Sequence, residues 1–169
     1  SFPEIPEKTV RHLTEKGRAQ IQEVAESLAS EHIDAIISSP LTRTRETAEM
    51  IGDRLGLLVM YDIRLRETDF GLNNELSVKD FFAKYPDPSM RIQTDGSDGL
   101  ESFSDMRIRV QSFLSDVKKE FPQGGTIVIV SHGDTLEQLR GVIEGNDLKT
   151  TANGWMPEKG SCTKFSLSF

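Results

Sequence analysis

Cysteine is nearly absent from this chain: Cys162 is the single one among 169 residues. One thiol cannot form an intramolecular disulfide or build a cysteine-rich zinc site. This usage is typical of a reducing compartment, so we expect a cytoplasmic protein. The apolar runs are also short. Ile127–Val130 is among the longest, far below the roughly 20 residues that a membrane span needs.

Basic side chains are fewer than acidic ones in this chain. The chain has 20 Lys and Arg against 27 Asp and Glu, which gives a net charge of −7. The basic residues are scattered, and an acidic chain without a basic patch binds nucleic acid or anionic membranes poorly. We therefore expect neither as a partner, and the oligomeric state stays open. The first residues, Ser1–Lys8, contain no signal peptide and no initiator Met, so we expect a longer natural protein.

Several motifs of common enzyme classes are missing. There is no Gly-x-Ser-x-Gly, which makes a hydrolase nucleophile elbow improbable. There is no Walker A motif and no Gly-x-Gly-x-x-Gly. The three histidines, His12, His32 and His132, lie far apart without paired spacing, which disfavours a histidine metal site. We expect no metal and no cofactor.

What the sequence does contain is an alternation of helical and strand patterns. Helices are predicted from Leu13, from Ser39 as N-cap with Pro40 at the first position, and from Ser77, Ser102 and Gly133. Strands are predicted at Ile33–Ile37, Leu57–Tyr61, Thr126–Val130 and Thr163–Phe169. Thr126–Val130 is apolar enough to be buried on both faces. The order predicts an α/β fold with a mainly parallel sheet flanked by helices on both faces.

We expect one domain over residues 1–169, since this length suits a single domain. Residues 1–12 form an arm in this interpretation. Residues 71–98 form an irregular excursion on the substrate side, interrupted by a short helix at Ser77–Lys84.

Two polar clusters fall at strand-to-helix junctions, where ligands bind in open α/β sheets. Arg43 lies in the first turn of the second helix, where unpaired N–H groups and the helix dipole favour an anion. The alternative is a surface arginine beside an ordinary cap. His132 directly follows the buried strand and precedes Gly133, which suits proton transfer or nucleophilic attack. The alternative is a structural histidine at a strand end.

Glu67 is the third candidate, because it opens the irregular stretch after a predicted strand. A carboxyl group whose pKa is raised by burial could act there as a general acid. The alternative is a salt bridge to Arg64 or Arg66. We predict that Glu67, Arg43 and His132 converge on one pocket.

Taken together, the motifs resemble the histidine phosphatase superfamily, with its phosphoglycerate-mutase-like fold. The resemblance extends from about residue 13 to the C-terminus. The matching stretches are Leu13-Thr14-Glu15-Lys16-Gly17, Ser38-Ser39-Pro40-Leu41-Thr42-Arg43 with Glu46-Thr47-Ala48, Leu65-Arg66-Glu67 with Phe70-Gly71, Gly99-Leu100-Glu101-Ser102 with Arg109-Val110, and Val130-Ser131-His132-Gly133.

The resemblance implies a role for each candidate. Arg43 would clamp the phosphate, His132 would hold and stabilise the transferred phosphoryl group, and Glu67 would give a proton to the leaving group. Glu101 would lie near the pocket without an assigned step. The family's first strand ends in Arg-His-Gly with the nucleophile. His12 is followed by Leu13 instead of glycine, so we reject it and expect the nucleophile upstream of residue 1.

The implied function is a phosphatase that hydrolyses a small phosphorylated metabolite through a phosphohistidine. The first alternative is a non-catalytic phosphate-ester-binding or regulatory protein that lacks the nucleophile. The second is phosphotransfer of the phosphoglycerate mutase type, which is disfavoured because the irregular stretch at 62–99 is short for the insertions that shape mutase pockets. The substrate itself depends on side chains in the excursion at 71–98.

Overall fold

The computed structural model describes residues 10–152, 155 and 157–166. Within these residues the chain forms six α-helices and three parallel strands. The predicted α/β class with a parallel sheet is therefore confirmed. The helices are α1 Glu15–Leu28, α2 Thr42–Leu55, α3 Val78–Lys84, α4 Phe103–Glu120, α5 Gly133–Ile143 and α6 Leu148–Thr151. The strands are β1 Ala35–Ser38, β2 Val59–Tyr61 and β3 Ile127–Val130.

The residues group into two compact units. One comprises residues 1–66, 118–132 and 157–164, and the other comprises residues 67–117, 133–156 and 165–169. The expectation of a single domain over residues 1–169 stays a prediction.

The sheet lies in the first unit, in the order β2-β1-β3. Ile36 of β1 pairs with Val59 on one side and with Val128 on the other. With a neighbour on each side, β1 is buried at every position. β3 is only half-buried along its length, so the predicted burial of Thr126–Val130 on both faces is wrong. Among the described strands β3 has one neighbour, and its apolar side chains keep part of their exposure.

Helices α1 and α2 build the core of this unit on the sheet. The Thr14 hydroxyl oxygen accepts the Gly17 N–H at 3.1 Å and starts α1. Gly56 ends α2 in the left-handed region with φ 69°, a conformation that glycine commonly supplies at helix C-termini. α1 packs against α2, and α2 packs against the strands. The buried core residues are Ile21, Ala25, Leu28, Ile36, Ala48 and Ile51.

The second unit contains most of α4, together with α3, α5 and α6. The apolar stripe of α4 is buried. It consists of Phe103, Met106, Val110, Phe113, Leu114 and Val117. A helix whose apolar residues recur at this spacing buries one face and exposes the charged residues of the opposite face to solvent.

The carboxylate of Asp98 connects three side chains of the segment 71–98. Asp98 accepts hydrogen bonds from the Lys84 ammonium at 2.6 Å, the Tyr85 hydroxyl at 2.8 Å and the Asn73 amide at 2.9 Å. The Lys84 bond is the largest of several interactions that hold the pKa of Asp98 well below its usual range. The predicted helix at Ser77–Lys84 is confirmed as α3, with Ser77 as its cap.

Two predicted boundaries differ from the structure. α2 begins at Thr42 with Leu41 at the N-cap, so the prediction of Ser39 as cap and Pro40 as first residue is wrong. The predicted strand Thr163–Phe169 is absent over residues 163–166, and 167–169 lie outside the described residues. Alternation alone does not make a strand, because a strand also needs a hydrogen-bonded neighbour. Residues 1–9 of the predicted arm also lie outside the described residues.

We predict that Asp98→Asn destabilises the protein by about 1 kcal/mol near neutral pH, since the charged acceptor of three hydrogen bonds is lost. The pKa of Asp98 is lower in the folded protein than in the unfolded chain. Its stabilisation is therefore complete above the unfolded pKa of about 4 and is lost as the pH falls further. Urea unfolding at several pH values should show the two proteins converging in acid. Asp95→Asn, in the exposed turn at Ser97, is the control. A difference that grows in acid would contradict this account.

Candidate functional site

The side chains of Arg43 and His132 meet beside the sheet. Arg43 lies in the first turn of α2, which follows β1, and His132 directly follows β3. β1 and β3 are adjacent parallel strands, so their carboxyl ends lie at the same edge. The Arg43 Nη2 is 2.8 Å from His132 Nδ1. This is the convergence that the sequence predicted for these two residues.

The other ring nitrogen of His132 contacts Ser39. Nε2 is 2.8 Å from the Ser39 hydroxyl oxygen, and Ser39 is fully buried. Sequence reasoning missed this role because Ser39 has the pattern of a helix cap. The available signal was that Ser39 and His132 each follow a strand, but the strand order that makes them neighbours is not written in the sequence.

The connection between β1 and α2 is fixed by hydroxyl groups. The Thr44 hydroxyl donates to the carbonyl oxygens of Leu41 at 2.8 Å and Ser39 at 3.1 Å. The Ser38 hydroxyl donates to the Ser39 carbonyl at 2.9 Å. Leu41, the N-cap of α2, makes no side-chain cap bond. Arg43 lies in the first turn of α2, where the positive end of the helix dipole is a favourable environment for an anion.

Glu67 belongs to the second unit. Its Oε1 accepts the N–H of Thr68 at 3.1 Å. Arg64 is one of the two salt-bridge partners suggested for Glu67. It pairs instead with Asp62, and its Nη2 lies 2.6 Å from Asp62 Oδ2. The convergence of Glu67 with Arg43 and His132 stays a prediction.

A buried cluster in the second unit lies next to Glu67 in the chain. The Thr68 hydroxyl donates to Asp134 Oδ2 at 2.6 Å, and the same oxygen is paired with Arg91. The Arg91 guanidinium stacks on Phe103, 4.4 Å from the ring centroid. Asp134 is in the first turn of α5, two residues after His132. The cluster thus ties the residue after Glu67 to the start of α5. Sequence analysis did not identify Arg91 or Asp134.

The carboxylate of Glu101 makes contacts that stabilise the fold. It pairs with Arg109 through two bonds of 2.7 and 3.0 Å, and both side chains are nearly buried. It also accepts the N–H of Asp69 at 3.2 Å. Glu101 therefore holds the segment after Glu67, and no catalytic step is assigned to it.

The other two histidines are exposed and paired with carboxylates. His12 Nδ1 is 2.5 Å from Glu46 Oε1, and His32 Nε2 is 3.1 Å from Asp34 Oδ1. The hydrogen bond with His12 is the largest cause of a lowered pKa at Glu46. Among the described residues, no group of three or more His, Cys, Asp and Glu is arranged to hold a metal ion. None of the described helices has the length and apolar character to cross a bilayer.

Comparison with known proteins gives consistent matches. The family model for the histidine phosphatase superfamily (branch 1) matches residues 8–168. Phosphoserine phosphatase 1 of Hydrogenobacter thermophilus is 34% identical over 140 residues, covering 80% of this chain and 66% of that protein. A probable phosphoglycerate mutase, GpmB of Enterobacter sp. strain 638, is 37% identical over 138 residues, covering 79% and 63%. The chain spans just under two-thirds of the length of these curated relatives.

Solved structures match over most of the described fold. A mycobacterial glucosyl-3-phosphoglycerate phosphatase in complex with VO3 superposes with a TM-score of 0.77 at 28% identity, covering 90% of this chain and 78% of that one. A protein described as mycobacterial hydrolase 1 has a TM-score of 0.79 at 26% identity, covering 91% and 77%.

We expect that breaking the Arg91–Asp134 pair lowers the stability of the protein more than breaking a more exposed ion pair does. We predict that Arg91→Met lowers the free energy of unfolding by about 3 kcal/mol, because it leaves the nearly buried carboxylate of Asp134 without its cation. Arg140 is the matched control, since it also stacks on a ring, Trp155, and pairs with Glu144, but is more exposed. Arg140→Met should cost less than about 1 kcal/mol. Equal losses in urea unfolding would show that burial does not distinguish the two pairs.

Proposed function

The chain belongs to branch 1 of the histidine phosphatase superfamily, as its motifs predict, and we propose that it is a phosphatase acting on a small phosphorylated metabolite. The observation that carries the proposal is the contact between Arg43 and His132 at the head of α2. A guanidinium, an imidazole and the donors of a helix N-terminus suit the three oxygens of a phosphoryl group. Phosphatases among the relatives support hydrolysis.

In the proposed mechanism, Arg43 and His132 bind the phosphoryl oxygens and stabilise the charge that develops on them. A histidine nitrogen attacks phosphorus, the bond to the ester oxygen breaks, and Glu67 gives its proton to that oxygen. Glu67 then takes a proton from a water molecule, which attacks phosphorus and breaks the phosphorus–nitrogen bond. Phosphate and the starting histidine are released.

We place the nucleophile on a histidine that precedes residue 1 in the natural protein. His12 is bound to Glu46, His32 is bound to Asp34, and His132 serves as the stabilising group. If no such histidine exists, the pocket supports the second candidate, a phosphate-ester-binding protein without turnover.

The same comparisons support a small substrate. The names of these relatives refer to phosphoserine, phosphoglycerate and glucosyl-3-phosphoglycerate, which are all small phosphate monoesters. We propose a substrate of that class. The net charge of −7 is a further argument against a polyanionic substrate.

Phosphate binding tests the site without requiring turnover. Isothermal titration of orthophosphate into the chain should show one site, and Arg43→Met and His132→Gln should each weaken binding about 10- to 100-fold, since each removes a charged or strong donor. The control is Arg54→Met, because Arg54 is also on α2 but pairs with Glu26 in the solvent. Binding that survives both site variants would refute the proposal.

Turnover tests the nucleophile. We predict that the 169-residue chain hydrolyses p-nitrophenyl phosphate poorly, and that the chain extended by its natural upstream segment hydrolyses it well. Removing a covalent nucleophile costs several orders of magnitude in rate. Rapid turnover by the 169-residue chain that His12→Ala abolishes would show that His12 is the nucleophile. An inactive extended chain that binds phosphate would favour the second candidate.

A further inference from the structure

The hydrogen bonds of His132 define which of its ring nitrogens carries the proton. A guanidinium has donors and no acceptor, so in the contact of Arg43 Nη2 with His132 Nδ1 the ring nitrogen must accept. A neutral imidazole with an accepting Nδ1 carries its hydrogen on Nε2. That hydrogen is donated to the Ser39 hydroxyl oxygen, 2.8 Å away.

We propose that Ser39 is a positioning residue that holds the His132 ring against Arg43, so that this tautomer is kept and Nδ1 is the atom of His132 that meets the phosphoryl group. The inference rests on the proposed function for the identity of the anion. It adds an assignment for a residue that sequence analysis treated as a helix cap, and it assigns the two ring nitrogens separate tasks.

Ser39 is suited to this task because its own position is fixed. Its N–H donates to the Val130 carbonyl at 2.9 Å, which ties it to the end of β3. Its carbonyl accepts the Thr44 hydroxyl, which ties it to α2, and its hydroxyl oxygen accepts the Leu41 N–H at 3.3 Å. Ser39 is fully buried. A ring flip of His132 would therefore remove one of the two donors to this buried hydroxyl oxygen, and that is costly.

The neighbour of His132 is fixed as well. The Ser131 hydroxyl donates to the Leu65 carbonyl at 2.7 Å. Arg43 from α2 contacts the ring with a charged group, and on α5 Asp134 is paired with Arg91. The ring therefore has an uncharged anchor at Nε2 and a cation at Nδ1.

This arrangement has a consequence for anion binding. An unprotonated Nδ1 has a lone pair and would repel a phosphoryl oxygen, while Arg43 is attracted to that oxygen. When an anion binds, Arg43 donates to it, and Nδ1 takes one proton from the solvent and becomes a second donor. Nε2–H stays on Ser39 throughout. Anion binding is thus linked to uptake of one proton by His132.

The tautomer can be measured without any ligand. In the protein labelled with 15N-histidine, couplings of the ring protons to each nitrogen distinguish a protonated from an unprotonated nitrogen, and His132→Gln assigns the signal. We expect Nε2–H for the wild type near pH 8. In Ser39→Ala the ring loses its anchor and can turn away from Arg43, so the two tautomers should be mixed. Ser102→Ala, which removes a buried hydroxyl that accepts the Asp105 N–H in α4, should keep the wild-type tautomer. An Nδ1–H ring in the wild type, or no change in Ser39→Ala, would overturn the proposal.

Sulfate titration tests the linked proton. Sulfate is a tetrahedral dianion that does not titrate in this range, so calorimetry in two buffers of different ionisation enthalpy counts protons taken up by the protein. We expect about one proton per sulfate near pH 8, and about 10-fold weaker binding in Ser39→Ala but less than 2-fold in Ser102→Ala. Binding without proton uptake would overturn the role of Nδ1 and leave the proposed function intact. If sulfate fails to bind the wild type, the proposed function fails, and the tautomer still decides the role of Ser39.

Discussion

The hydrogen bond between the guanidinium of Arg43 and the imidazole of His132 is the contact on which the site depends. It joins residues that are 89 positions apart in the chain, and it forms because β1 and β3 are neighbours in the sheet and run in the same direction. Each residue follows its strand, so the pairing register places both at one edge. β1 is buried at all its positions and pairs with a strand on each side.

A second contact orders the segment that contains Glu67. The carboxylate of Asp134 binds the Thr68 hydroxyl and the Arg91 guanidinium, and the aromatic ring of Phe103 covers the guanidinium. Two charges in a nearly buried position stabilise each other only when both are present. The cluster lies directly after Glu67 in one part of the chain and directly after His132-Gly133 in another. It therefore restricts the backbone beside two of the residues to which we assign chemical roles.

The sequence was most informative where the local pattern of residues is enough to predict the local structure. The apolar stripe of α4, the glycine that ends α2, and the histidine after an apolar strand could all be predicted from local pattern. Arg91 and Asp134 could not, because they are 43 residues apart and their pairing depends on tertiary packing. Ser39 was predicted to cap α2, but its hydroxyl contacts His132 instead. A serine hydroxyl can do either, and the strand order, which brings His132 next to Ser39, decides between them. The half-burial of β3 was missed for the same reason: its apolar sequence does not state how many neighbours it has.

The most direct test of the central claim is a crystal structure of this chain soaked with orthovanadate, which mimics the transferred phosphoryl group. The account predicts density for one anion with its oxygens within hydrogen-bond distance of Arg43 and of His132 Nδ1, at the head of α2, with His132 Nε2 still on Ser39. An anion that binds elsewhere while Arg43 stays on His132 Nδ1 would contradict it.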